Sequence, residues 1–112
     1  MTRELWQLSA LNINQKYKKK EISPVELNKA VINRIEEVND KINAYVDFDK
    51  KEILKSANKS QKRWAKNEPL SILDGIPISI KDLILVKGMP TLRCSNTTNA
   101  KDLSTIDAPV VE

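Results

Sequence analysis

The stretch Asp74-Gly75-Ile76-Pro77-Ile78-Ser79-Ile80-Lys81-Asp82 decides how this chain is read. It sets a lysine at the end of an alternating apolar run, directly behind a Gly-x-Pro lead-in. Side chains alternate along an extended segment, so Ile76, Ile78 and Ile80 share one side and Pro77, Ser79 and Lys81 the other. The pattern predicts a strand that ends at Lys81. Pro77 cannot donate to a ladder, which puts it at the strand's start or on an edge. If both faces of that strand are covered, Lys81 loses water. Desolvation disfavours the ammonium form of a lysine, and the neutral amine is the form that acts as a general base.

Upstream of this run the chain reads as helical. Ser9 is a cap for a first helix over about Ala10 to Lys19, with Ile13 and Tyr17 facing inward four residues apart. Ser23, then Pro24 at the first helical position, then Glu26, make a capping box with its proline where the missing N–H costs nothing. Leu27, Val31, Ile35, Val38 and Ile42 come next at three- and four-residue steps as one apolar stripe. Asn39-Asp40 predicts the end of that helix. Ala44 to Phe48 reads as a short strand. Asp49 and Glu52 repeat the capping spacing and predict a third helix to about Lys66, with Ile53, Ala57 and Trp64 inward and Trp64 in the core. Asn67-Glu68-Pro69 breaks it. Downstream, Leu83 to Val86 reads as a buried apolar segment. Loop begins at Lys87, and Asp107 to Val111 reads as the start of another helix.

Taken in order, these motifs resemble the amidase signature family. Its members carry a Gly-Ile-Pro-x-x-x-Lys-Asp run, which matches Gly75 to Asp82. Leu8-Ser9-Ala10, Ser23-Pro24-Val25-Glu26-Leu27, Arg34-Ile35-Glu36 and Ile42-Asn43-Ala44-Tyr45-Val46 resemble the family's helical lead-in. Gly88-Met89-Pro90-Thr91 and Asp107-Ala108-Pro109-Val110-Val111 resemble the family's sequence beyond the lysine. The resemblance implies an α/β fold. N-terminal helices would occupy about residues 1–43 and a third helix about 49–66. The lysine strand and its loop would occupy about 72–112, as the first strands of a mixed sheet that is incomplete as given. All of it would be the N-terminal part of a single domain.

The resemblance also implies a Ser-cisSer-Lys mechanism, with Lys81 as the base. One serine attacks the amide carbonyl and a second relays the proton. Both belong to a Gly/Ser-rich segment, and here Gly75 and Gly88 are the only glycines. The chain is thus expected to hold the base without the nucleophile, and to be inactive alone. Ser95 aligns with a serine in a Thr-Thr-x-Gly-Ser run, which here reads Thr91-Leu92-Arg93-Cys94-Ser95. Leu92 and Cys94 depart from that pattern, and a glycine is needed where backbone passes close to another element or takes positive φ. Ser95 is not read as the nucleophile. Asp82 is read as structural, bonding local backbone. The complete enzyme would act on a small-molecule carboxamide. A general amidase is the first expectation, and the amidotransferase A-subunit type the alternative. The rival classes are a binding or assembly module that self-associates through uncovered apolar surface, and a truncated product without a function.

Composition narrows the classes. A chain of 112 residues is one small domain at most. The net charge is +4, but 30% of the residues are charged and the lysines are scattered, which describes a solvated surface. The densest group, Lys16, Lys18, Lys19 and Lys20, reads as a helix C-terminus favoured by the macrodipole rather than as a tRNA contact. Nucleic acid is not expected as a partner. Cys94 is the only cysteine, which excludes an intrachain disulfide and fits a reducing cytoplasm; it is read as a small buried residue rather than a reactive thiol. No apolar run reaches the ~20 residues of a membrane helix, and no signal-peptide core comes after Met1. The absence of histidine excludes Ser-His-Asp and Cys-His catalysis within the chain and, with one cysteine, a structural zinc site. No metal or cofactor is expected.

Overall fold

Side-chain caps set where the helices begin in the computed structural model, which describes residues 3–112. A 3-10 turn at Leu5–Gln7 precedes α1 (Ala10–Lys18), where Ser9 Oγ accepts the Asn12 N–H. Both bonds of the Ser23/Glu26 capping box form at the head of α2 (Pro24–Ile42). At α3 (Lys50–Ala65), Asp49 accepts from the N–H groups of Lys51 and Glu52. Each such cap contributes about 1 kcal/mol. Helix α2 ends at Ile42, close to the expected stop near Asn39-Asp40. Asn39 turns its side chain to the next segment, donating to the Tyr45 carbonyl and accepting from the Tyr45 N–H. Asn43 then closes the helix in the left-handed region, at φ 48°.

The chain divides into two compact units, one ending at Pro77 and one spanning Ile78–Glu112. In the first unit, Ile13, Tyr17, Leu27 and Trp64 form the core, and Leu5, Leu8, Ile22, Val31 and Ile76 pack against it. The Tyr17 and Trp64 rings meet at 5.4 Å between centroids, tilted by 55°. Full burial of a large apolar side chain contributes about 1.5–3 kcal/mol. The α2 stripe is buried at Leu27 and Ile35 and reaches solvent at Ile42. Ile32, outside that stripe, is buried as well.

The second unit is built of turns. Gly88 N–H donates to the Ser104 carbonyl, Ser104 N–H to that of Met89 and Ala108 N–H to that of Leu85. Asp107 accepts from the Lys87 N–H at 2.7 Å. Residues 108–112 close as a turn, with the Val111 and Glu112 N–H groups both on the Ala108 carbonyl.

The expected α/β fold with the first strands of a mixed sheet is therefore corrected: the described residues hold helices and turns, and no strand. The lysine segment around 76–81 carries strand-like alternation but has no neighbour in a ladder. Ile78 is 75% exposed. The segment 44–48 is irregular too: Tyr45 bonds to the Asn39 side chain, and no backbone ladder forms there among the described residues. Among the described residues bridging is confined to two isolated pairs, Lys87 with Ser104 and Pro90 with Leu103. The reason is that alternation sets which face a side chain takes, while a strand exists only through hydrogen bonds to a second segment. The apolar run at 83–86 is not fully buried either, since Leu83 is exposed and its neighbours half-buried.

Candidate functional site

The Gly-Ile-Pro-x-x-x-Lys-Asp run straddles the two units. Its first half, with the residues before it, belongs to the first unit and is held by helix side chains. Asn14 Nδ2 donates to the Ile72 carbonyl at 2.8 Å. Trp64 Nε1 donates to the Asp74 carbonyl at 2.9 Å. Tyr17 Oη and Asn28 Nδ2 both donate to the Gly75 carbonyl, at 2.9 and 3.0 Å. Helices α1, α2 and α3 thus each contribute a side chain to backbone that has no ladder of its own.

Two features make this clamp specific. Gly75 has φ +84°, and a Cβ there would lie 2.5 Å from Ser60 Oγ and 2.9 Å from the Pro24 ring. Only glycine combines that conformation with that approach. Asp74 is buried, and its carboxylate takes a two-pronged bond from Arg63 and the Leu70 N–H. The Arg63 guanidinium holds the Asp74 carboxyl down at about 2. Burial, and then the Asp74 charge, push the Tyr17 hydroxyl well above its usual range.

In the second unit, Lys81 is exposed on irregular backbone, and its ammonium pairs with no carboxylate among the described residues. The sheltered strand terminus expected from the alternation is thus not formed by these residues. Asp82 has the local role expected of it. Its Oδ1 accepts the Leu92 N–H at 2.7 Å and its Oδ2 the Cys94 N–H at 3.2 Å, while its carbonyl accepts the Arg93 N–H. Burial pushes this carboxyl upward, but the backbone N–H groups of Leu92, Cys94 and Arg93 outweigh that and leave it below its usual range.

Arg93 and Cys94 both lie in the left-handed region, at φ 52° and 51°. The turn they make brings the Leu92 and Cys94 N–H groups onto the Asp82 carboxylate and the Arg93 N–H onto its carbonyl. Cys94 sits where the Thr-Thr-x-Gly-Ser run has glycine, and it adopts the glycine-like conformation. Its thiol is exposed, which corrects the expectation of a buried residue. Ser95 Oγ lies 2.7 Å from Thr97 Oγ1 and accepts the Thr97 N–H, so it serves a local turn. A shallow cleft of about 270 Å³ is lined by Leu85, Thr91, Arg93, Thr98, Asp102, Leu103 and Ser104. Thr91 Oγ1 is buried without a hydrogen-bond partner.

Reading the sequence for catalytic types missed Asn14, Asn28, Arg63 and Asp74. The polar residues Asn14 and Asn28 on otherwise inward-facing helix positions were the available signal, since a buried amide must find partners.

Residues 26–112 match the amidase family. The chain is 41% identical over 109 residues, 97% of its length, to the A subunit of glutamyl-tRNA(Gln) amidotransferase from Carboxydothermus hydrogenoformans, covering 22% of that protein. It is 37% identical over 109 residues, again 97% of its length and 22% of the relative, to the glutamyl-tRNA(Gln) amidotransferase A subunit numbered 1 in Clostridium acetobutylicum. It is 42% identical over 91 residues, 81% of its length and 18% of the relative, to the glutamyl-tRNA(Gln) amidotransferase A subunit of Leptospira interrogans serovar copenhageni. The chain spans about a fifth of the length of these curated relatives. These relatives carry the amidotransferase name, not that of the general amidase expected first. With the lysine run and the α2 part of the helical lead-in inside the matched region, the chain belongs to the amidase family, the amidase signature proteins.

Proposed function

We propose that this chain is the amino-terminal part of an amidase-signature amidotransferase A subunit, with Lys81 as its catalytic base. The observation that carries the reading is the 41% identity to such a protein over 97% of the chain. The complete protein would take an amide nitrogen from a carboxamide through an acyl-serine intermediate. Lys81 would accept the proton relayed from the attacking serine and return it to the leaving amine. Residues outside this chain would shelter Lys81 from water and supply both serines. The 112-residue chain alone would be inert, since without a nucleophile the covalent route is absent rather than weakened. A cytoplasmic location belongs to the same proposal; a lone exposed thiol at Cys94 suits a reducing compartment.

The test compares the complete protein with its Lys81→Ala variant for release of ammonia from glutamine and for amidation of glutamyl-tRNA. Loss of at least about a thousandfold in kcat, with the fold unchanged, is expected for removal of a base in such a unit. Retained turnover in the variant overturns the role of Lys81. Turnover of simple amides by the 112-residue chain, abolished by Lys81→Ala, overturns its inertness.

A further inference from the structure

Helix α3 has a feature that neither its stability nor the lysine chemistry uses. Lys51, Lys55, Lys59, Lys62 and Lys66 succeed one another at steps of four, four, three and four residues. At 3.6 residues per turn they fall within about 80° of arc and run about 22 Å along the axis. All five are exposed. The opposite side of the helix carries the buried Ala57, Ser60 and Trp64. Glu52, bonded to Lys55, is the only acidic residue within α3. The other four stripe lysines pair with no carboxylate among the described residues.

Helix energetics does not account for this arrangement. Cations favour a helix C-terminus, which suits Lys62 and Lys66, but Lys51 stands in the first turn, where the macrodipole disfavours it. Neighbours on the stripe are like charges three or four residues apart and repel one another. An arriving polyanion relieves both costs. A membrane surface fits less well. An interfacial helix inserts a free apolar face, and the apolar face of α3 is already spent on the core.

We infer that the α3 lysine stripe is a docking surface for the phosphate backbone of RNA. The choice of RNA among polyanions rests on the amidotransferase reading. The contact is electrostatic and sequence-independent, so it orients a strand without reading its bases. It differs from the Lys16–Lys20 group, where Lys16 is engaged by Glu21.

The test is fluorescence anisotropy of a labelled, unmodified tRNA transcript titrated with the full 112-residue chain, from about 50 to about 200 mM salt. The comparison variants are Lys51→Gln/Lys55→Gln/Lys59→Gln on the stripe and Lys16→Gln/Lys18→Gln/Lys19→Gln off it, each checked by circular dichroism. The stripe variant should bind at least about tenfold more weakly, and the slope of log affinity against log salt should flatten by about 2 to 3. The off-stripe variant, with the same net charge, should keep most of the affinity. No binding by the parent chain overturns the inference, as does equal weakening by both variants. Vesicles of anionic phospholipid or polyglutamate binding as tightly as the transcript would overturn RNA as the occupant. Amide turnover plays no part in the assay, so failure here and failure of the amidotransferase reading are told apart.

Discussion

Arg63 grips Asp74 with two parallel bonds, Nε to Oδ2 at 2.7 Å and Nη2 to Oδ1 at 2.6 Å. Paired guanidinium–carboxylate bonds of this kind are short, directional and stronger than neutral ones. The pair ties α3 to the residue immediately before Gly75.

The Asp74 carboxyl is held at about 2 against an ordinary 3.8. A depressed folded-state value means that the unfolded chain binds the proton more readily. The resulting stability is present above pH 4 and is lost as pH falls toward 2. Its size is roughly 2 kcal/mol at neutral pH. Urea unfolding between pH 6 and pH 2 should show this loss, and Asp74→Asn should start lower and vary less across the window.

Gly75→Ala should destabilise the first unit by about 2 kcal/mol or more, from backbone strain plus the approach to Ser60 and Pro24. In a Ser60→Ala background the cost should shrink, because the closest atom is gone, yet remain above zero because φ +84° persists. Thermal melts of the two single variants and the double variant measure this.

Tyr17→Phe removes one of two donors to the Gly75 carbonyl, while Asn28 keeps the other. A loss of about 1 kcal/mol is expected. Because burial raises the Tyr17 hydroxyl, the folded state holds that proton more tightly than the unfolded chain does. Stability should therefore decline as pH rises above 10, and the phenylalanine variant should lose that alkaline component.

Asp82→Ala should release the 92–94 turn without unfolding the first unit. Amide hydrogen exchange at Leu92 and Cys94 should accelerate, since both N–H groups lose their acceptor. Protection at Tyr17 and Trp64 should be unchanged.

Lys81→Ala should leave the stability of this chain within about 0.5 kcal/mol, because surface substitutions without partners are nearly neutral. Denaturant midpoints of the two chains measure it. That silence makes the substitution a clean probe of activity in the complete protein.

What could be read from the residues alone was whatever closes within a few positions. Ser9, Ser23 and Asp49 cap their helices through atoms two or three residues away, so spacing was enough to start each helix. The lysine run likewise carried the family, because its residue order is local. The end of α2 was legible too, to within a few residues: the helix closes at Asn43, while Asn39 bonds Tyr45 beyond it, a contact that spacing did not reveal. Only the tertiary structure decided that the 76–81 segment lies without a ladder, that Lys81 and Cys94 face solvent, and that Arg63 meets Asp74. A ladder, a buried ion pair and the exposure of a side chain all depend on what chain folding brings alongside, and alternation along one segment carries no record of its neighbour.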